Sequence, residues 1–112
     1  YAGLAALTGP KEPILKMVSE FDMRRKVIVS ALNDLKGVSC IDSAGAFYAF
    51  PNISGTGCSS SQAQDLFLDQ AGVATIAGTS FGTFGEGYLR FSYANSKENI
   101  LRAIERIDKI LT

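Results

Sequence analysis

The first long hydrophobic pattern of the chain has the spacing of a helix. Between Pro13 and Leu35, apolar residues return every three or four positions and form one stripe, made of Ile14, Met17, Val18, Phe21, Ile28, Leu32 and Leu35. Pro10 and Pro13 suit the entry, because proline is tolerated in a first turn. Gly37 follows the stripe and suits a left-handed cap. The pattern predicts a helix from Pro13 to Leu35, with the charged run 24–26 on a solvated face.

Short apolar runs of the strand type follow this helix. Residues 38–41 and 46–50 are two such runs, separated by a polar turn, and Pro51 ends the second because proline cannot donate to a neighbouring strand. Residues 73–76 and 88–93 predict two further strands.

Two more helices are predicted in the second half of the chain. Ser61 and Gln64 have the spacing of a capping box, which predicts a helix that carries Ala63, Leu66 and Phe67 inward and ends at Gly72. Ser96 is the expected N-cap of the last helix. The apolar positions of that helix are Ile100, Leu101, Ile104, Ile107, Ile110 and Leu111.

The order of these elements predicts the fold class. Strands that follow each other through short turns pair antiparallel, and amphipathic helices cover one face of the sheet they form. We therefore expect an α+β, two-layer domain that occupies residues 1–112. It has a small, mainly antiparallel sheet of about four strands, helices packed on one face, and long N-terminal and C-terminal helices.

Composition removes several classes of function. Eleven basic residues balance eleven acidic ones, which argues against a nucleic-acid or anionic membrane partner. The chain has no histidine, which excludes a Ser-His-Asp triad, a Cys-His pair and most zinc sites, and two cysteines cannot hold zinc alone. No metal site is expected. Cys40 and Cys58 are expected as free thiols in a reducing compartment, the cytoplasm, since no signal peptide or membrane span is visible.

An arginine in the middle of a predicted strand is the main candidate for chemistry. One face of the run 88–93 is apolar and should meet the helices, through Leu89, Phe91 and Tyr93. Arg90 then lies on the opposite face, where its planar fork of donors could grip a carboxylate. The alternation by itself favours an arginine that pairs with an acid of its own domain or extends into solvent.

The glycine-rich segment 78–87 lies just before this strand. It lacks the P-loop and dinucleotide-binding patterns, and it leads into a strand instead of a helix. Its Gly82–Gly85 spacing matches the short loop of KH RNA-binding domains, although no basic residues surround it. Glycine here favours a sharp turn or a close backbone approach. Four aromatic residues could line a pocket nearby or belong to the core: Phe47, Tyr48, Phe81 and Phe84.

Three segments of the chain together resemble a known family. Residues 45–48 (Gly-Ala-Phe-Tyr), 71–82 and 85–94 are similar, in order and spacing, to the C-terminal part of class I/II pyridoxal-phosphate-dependent aminotransferases of the aspartate aminotransferase type. The opening residues 5–10 and the long helix resemble the segment downstream of the family's cofactor lysine. One departure is Ala77, where many relatives have proline; we expect it to affect loop stiffness more than function.

The resemblance implies a role for Arg90 and a large missing part. In the family an arginine at this position holds the substrate's α-carboxylate, while an amino group passes between an amino acid and a 2-oxo acid. The cofactor lysine and the other groups that bind pyridoxal phosphate belong to a large domain, so no catalytic, cofactor-binding or metal-binding residue is expected in this chain. The resemblance implies a small domain that closes over the substrate, in a parent enzyme that is a homodimer. The separated chain is expected to be inactive, to bind no cofactor and to expose an apolar patch.

Two other functions agree with the residues alone. A free-standing regulatory module that binds a small carboxylate would keep Arg90 and need no lysine. An RNA-binding domain would use the Gly82–Gly85 loop, against the balanced charge.

Overall fold

The computed structural model describes all 112 residues as four α-helices and one small sheet. The elements in chain order are α1 (Ala2–Thr8), α2 (Glu12–Asp34), β1 (Tyr48–Ala49), α3 (Ser60–Leu66), β2 (Ile76–Ala77), β3 (Leu89–Ser92) and α4 (Lys97–Leu111). The last turn of α3 widens into a π-helical turn, Phe67–Ala71, which ends at Gly72 in the left-handed conformation with φ of 65°. The predicted end of this helix at Gly72 is therefore confirmed.

The sheet has three antiparallel strands with β3 in the centre, in the order β1-β3-β2. This confirms the α+β class, with three strands where about four were expected. The run 38–41 forms only one bridge, between Ser39 and Asn52. The reason lies in α2, where the Asn33 side chain accepts from the Cys40 amide and donates to the Cys40 carbonyl, both at 2.9 Å. Those two backbone groups are thereby used by a helix side chain instead of a strand.

The other predicted strands are shorter than their apolar runs. The run 46–50 contributes only Tyr48–Ala49 to the sheet. The run 73–76 pairs only at Ile76–Ala77, so the strand begins three residues later and ends one residue later than expected. Its first residue is unavailable for pairing, because the Val73 amide still donates to the Phe67 carbonyl of the π-helical turn at 3.0 Å.

The long helix α2 matches the predicted helix, but only half of its apolar stripe is in the core. Ile28, Leu32 and Leu35 are buried, whereas the N-terminal part of the stripe, made of Ile14, Met17 and Val18, is about half exposed. A helix of this length measures about 35 Å, and the domain extends 50 Å along its longest axis. The N-terminal half of α2 thus projects beyond the core, together with α1, which the sequence analysis did not predict as a helix and which buries no residue.

The start of α3 differs from the expected capping box. The box is formed by Ser59 and Gln62, two residues earlier than Ser61 and Gln64. The Gln62 amide donates to Ser59 Oγ at 3.2 Å, and the Ser59 amide donates to Gln62 Oε1 at 2.9 Å. The segment satisfies the spacing twice, and tertiary contacts of Ser60 and Gln64, described below, select the earlier register.

The last helix agrees with its prediction in all but one position. Ser96 caps α4, since its side chain accepts from the Asn99 amide at 3.2 Å. Ile100, Ile104 and Ile107 are buried against α2 and the π-helical turn, but Leu101 is 43% exposed and is not a core residue. None of the helices combines the length and the apolar composition that crossing a bilayer requires.

Candidate functional site

The central strand β3 separates the core from the candidate site. Leu89, Phe91 and Tyr93 are buried on the helix-covered side, as the alternation predicts. Arg90 lies on the opposite side and is half-buried. Its neighbour across the strand pair is Ile76 of β2, whose side chain shares that face and is 37% exposed. The arginine is therefore carried by the best-paired strand of the domain.

Two aromatic rings hold the guanidinium of Arg90 between them. The Arg90 Cζ lies 4.3 Å from the ring centroid of Tyr48 and 4.7 Å from that of Phe81. Both distances are within the range of a cation–π interaction. The five ion pairs of the chain involve other basic residues, namely Arg24, Arg25, Lys26 and Lys109. Arg90 thus neither pairs with an acid of its own domain nor extends freely into solvent, and its donors are available to an external anion.

The aromatic residues around Arg90 form a connected group. Phe50 stacks on Tyr88 with centroids 5.1 Å apart and planes 9° apart, and it meets Phe81 edge-on at 6.4 Å. Phe50 is not among the four pocket residues predicted from the sequence. Its signal was present, because Phe50 is two positions after Tyr48 and alternation puts both on the Arg90 face.

The two other predicted pocket residues do not reach the guanidinium. Phe47 lies beside Tyr48 at 4.5 Å and also packs on Phe21 of α2 at 6.0 Å. It supports one wall of the site from the α2 side. Phe84 is 99% exposed and contributes nothing to the site within this chain.

The glycine-rich segment brings its own backbone into close contact. It forms two 3-10 turns, Gly78–Phe81 and Thr83–Gly85, which fold against each other. A Cβ atom at Gly78 would overlap the Gly85 carbonyl, and one at Gly85 would overlap the Gly78 carbonyl. The expected role of glycine in a close backbone approach is therefore confirmed. The first of the two turns, Gly78–Phe81, carries the ring of Phe81.

Helix α3 fastens both ends of this segment. At one end, Ser60 is completely buried, and its hydroxyl accepts from the amides of Gly87 and Tyr88 at 2.8 and 3.1 Å. At the other end, Gln64 Oε1 accepts from the Ala77 amide at 2.8 Å. Helix α3 and the start of β3 are thereby joined around the segment that supplies Phe81.

A charged cluster lies apart from the site, where α2 meets the loop after residue 41. Arg25 pairs with Asp22, at 2.8 Å, and with Asp42, which ties the helix to the loop. Hydrogen bonds from Lys26 and Arg25 hold the pKa of Asp22 below its ordinary value. The predicted solvated face therefore contains Lys26, whereas Arg25 is part of a tertiary contact.

The remaining reactive groups of the chain are its two thiols and its six lysines. Cys40 and Cys58 are both free, as predicted, and burial raises the pKa of the Cys40 thiol. All six lysines are exposed and lie on or beside helices: Lys11, Lys16, Lys26, Lys36, Lys97 and Lys109. None of them is on the aromatic face of the sheet.

Comparison with known proteins identifies the family. The family model for aminotransferase class I and II matches residues 1–107. The chain belongs to the class I and II aminotransferases. An aspartate aminotransferase of Pyrococcus horikoshii is 45% identical over 112 residues, and an aromatic-amino-acid aminotransferase of Thermococcus litoralis is 36% identical over 113. These two alignments cover 98% and 99% of this chain and 29% of each relative.

Structural similarity to aminotransferases extends over nearly the whole chain. The alanine aminotransferase of Pyrococcus furiosus superposes with a TM-score of 0.93 at 30% identity, over 98% of this chain and 28% of that one. The resemblance seen in the sequence is confirmed, and this chain spans less than a third of the length of the aminotransferases it matches.

Proposed function

We propose that this chain is the small domain of a pyridoxal-phosphate-dependent aminotransferase of the aspartate aminotransferase type, and that Arg90 binds the α-carboxylate of its substrates. The observation that carries the proposal is the half-buried guanidinium of Arg90, which lies between two rings without an acidic partner in the chain. Membership of the aminotransferase family and the mid-strand position of the arginine support it.

The geometry suits a carboxylate shared by both substrates of such a reaction. An amino acid and a 2-oxo acid differ at Cα but carry the same carboxylate, which a guanidinium can grip with two parallel hydrogen bonds. The rings of Tyr48 and Phe81 contact the guanidinium without accepting its N–H hydrogens in conventional hydrogen bonds, so those donors remain for an anion. Arg90 then acts by positioning the substrate, which lowers the entropic part of the barrier.

The residues of this chain do not fit pyridoxal phosphate by themselves. The cofactor supplies the amino-group carrier of the reaction and requires a lysine at the site, and every lysine here is exposed and away from Arg90. We therefore assign the cofactor to the part of the enzyme beyond these residues. It follows that the isolated chain binds no cofactor and catalyses no transamination.

The exposed apolar surface supports a role as one domain of a larger enzyme. Apolar residues at the projecting end of the chain are 47–83% exposed, namely Leu4, Leu7, Ile14, Leu15, Met17 and Val18. Patches of this kind mark contact surfaces. We assign this surface to contact with the large domain of the parent enzyme, which we propose to be cytoplasmic and homodimeric. Residues 1–112 would move as one domain relative to that large domain and close over the substrate.

The test compares arginine variants in a full-length enzyme that carries this sequence. Arg90→Gln should lower kcat/KM for an amino-acid donor by about 100-fold or more, because two charge-assisted hydrogen bonds are lost. The amine that has the same side chain but no carboxylate should be used equally by the wild type and the variant. Arg106→Gln, at an exposed arginine of α4, is the matched control and should change neither value. An equal loss with both donors would contradict the proposed role of Arg90.

A free-standing carboxylate sensor is the competing function, because the aromatic rings and the guanidinium all come from this chain. Calorimetry of the 112-residue chain with simple amino acids and 2-oxo acids separates the two. A separated enzyme domain should bind them very weakly. Binding with a defined stoichiometry would favour the sensor.

A further inference from the structure

The hydrogen bond between Gln64 and Ala77 is a tertiary contact at the edge of the sheet. Ala77 ends the edge strand β2, is 4% exposed, and donates its amide to Gln64 Oε1 at 2.8 Å. The next amide along the chain, that of Gly78, donates to the Tyr88 carbonyl of the central strand's entry at 2.8 Å. Successive amides of an antiparallel edge strand point in opposite directions. The Ala77 amide therefore faces away from the sheet, and the side chain of α3 satisfies it.

This contact lies directly before the turn that carries Phe81. Ala77 is the residue from which the 3-10 turn Gly78–Phe81 departs, and the Phe81 ring covers one side of the Arg90 guanidinium. Because Phe81 itself is 54% exposed, its own packing holds it only in part. The direction in which the turn leaves β2 therefore sets where this ring lies.

The hydrogen bond is not needed to form α3. That helix has its capping box at Ser59 and Gln62, and its first turn is fastened by Ser60. Gln64 is half-buried one turn further along and directs its amide at the loop. The hydrogen bond from the Ala77 amide to Gln64 therefore restrains the segment that begins at Ala77 and has no part in capping α3.

We propose that Gln64 is a positioning residue for the substrate-carboxylate site: through the Ala77 amide it sets the Phe81 turn, and through Phe81 the orientation of the Arg90 guanidinium. The inference rests on the proposed carboxylate-binding role of Arg90. Helix α3 supplies neither of the two rings that contact Arg90, and the proposal gives this helix an indirect effect on carboxylate binding.

The backbone at Ala77 provides a test that removes the need for this hydrogen bond. Ala77 has φ of −56° and ψ of 134°, angles that proline adopts without strain. Proline has no amide hydrogen and stiffens the chain itself, and it is tolerated on an edge strand where the amide points outward. If Gln64 acts by restraining Ala77, Ala77→Pro should make Gln64 dispensable.

The experiment measures steady-state kinetics in a full-length enzyme that carries this sequence. Gln64→Met keeps the side-chain length but removes the acceptor, and it should raise KM for an amino-acid donor about fivefold with little change in kcat. Gln64→Glu keeps an acceptor at the same place and should stay close to the wild type. With the donor that lacks a carboxylate, all these variants should match the wild type. Ala77→Pro combined with Gln64→Met should restore the KM of the wild type.

A matched control comes from the same helix. Gln62→Met removes a side-chain hydrogen bond of the same kind, to the Ser59 amide, from the other end of α3. It should lower the melting temperature without changing KM. If Gln64→Met behaves like Gln62→Met, or if the proline variant fails to restore KM, Gln64 has only a structural role. In that case Arg90→Gln still reports on carboxylate binding, so a failure of the inference is distinguishable from a failure of the proposed function.

Should Gln64→Met not fold, Gln64→Ala takes its place, alone and combined with Ala77→Pro, because it also removes the acceptor of the Ala77 amide. Under the proposal the single variant raises KM for the amino-acid donor and the double variant restores it. A folded Gln64→Ala with the KM of the wild type would overturn the proposal.

Discussion

The guanidinium of Arg90 lies over the ring of Tyr48, with its Cζ atom 4.3 Å from the ring centroid. The two residues come from neighbouring strands, and Phe81 closes the other side at 4.7 Å. An arginine held between two rings loses less side-chain freedom when it binds an anion than one that moves in solvent. The aromatic pair thus prepares the arginine for the role proposed above.

Removal of the Tyr48 ring should weaken carboxylate binding while the charge of Arg90 remains. Tyr48→Leu should raise KM for an amino-acid donor about fivefold in the full-length enzyme, because a cation–π contact contributes roughly 1 kcal/mol. Tyr48→Phe keeps the ring and should leave KM unchanged. Phe84→Leu, at a residue 99% exposed within this chain, is the control for loss of an aromatic residue that does not contact Arg90. An unchanged KM in Tyr48→Leu would show that the ring does not position Arg90.

The contact between the two 3-10 turns should not tolerate a methyl group. Gly78→Ala would push a Cβ into the Gly85 carbonyl, and we expect it to lower the free energy of unfolding by about 1–3 kcal/mol. Gly45→Ala is the control, because a Cβ there meets no atom within 4 Å. That variant should change stability by less than about 0.5 kcal/mol. Urea denaturation of the 112-residue chain measures both, and equal stabilities would contradict the close approach.

The two thiols should differ in their reactivity. Cys40 is 7% exposed, and burial raises its pKa, so little of the reactive thiolate forms near neutral pH. Cys58 is partly exposed. Labelling with a disulfide reagent at pH 8 should therefore modify Cys58 first, and Cys40 only after the domain opens. The single variants Cys40→Ser and Cys58→Ser assign the two phases, and a fast phase that survives in Cys58→Ser would show the prediction to be wrong.

The free energy of unfolding should fall at acid pH, because protonation of Asp22 weakens its interactions with Lys26 and Arg25 on α2. The pKa of Asp22 is lowered from 3.8 in the folded chain by hydrogen bonds from Lys26 and Arg25. A carboxyl group with a depressed pKa stabilises the fold above its unfolded pKa, and this contribution is lost as pH falls through the folded value. Asp22→Asn should accordingly flatten the loss of stability below pH of about 4.

The control for this prediction is another acid of the same helix. Asp34 makes no ion pair in the chain, so Asp34→Asn should leave the acid limb of the stability profile unchanged. Thermal unfolding followed by circular dichroism between about pH 2 and about pH 6, which brackets the carboxyl pKa by about two units on either side, measures both variants. Identical profiles for the wild type and Asp22→Asn would refute the assigned role.

The sequence alone predicted those features that depend on local periodicity. The helical spacing of apolar residues indicated α2 and α4, and Ser96 was recognised as a cap because its hydroxyl acts on its own helix. Alternation along β3 was enough to put Arg90 on the face opposite the core. In each case the decisive neighbours are within one turn or one strand repeat of the residue concerned.

Contacts between distant segments decided the rest. Ser59 and Ser61 both had a glutamine three residues later, and the earlier box formed because Gln64 is engaged by Ala77 and Ser60 by residues 87 and 88. The run 38–41 has strand character, but an asparagine on α2 takes its hydrogen bonds. Local spacing cannot rank such alternatives, because their energies differ by the burial and pairing of groups far apart in the chain.

Arg90 itself shows which properties follow from local sequence and which follow from tertiary structure. Its charge, its strand and its face follow from the order of residues 88–93. The two rings around it come from positions 42 and nine residues earlier in the chain, and only the fold brings them to the arginine. Tyr48 arrives on the neighbouring strand β1, and Phe81 arrives on a turn that α3 restrains. Local sequence determined which group offers the donors, and tertiary packing determined that they are held ready, because only a folded chain can put aromatic faces on both sides of one guanidinium.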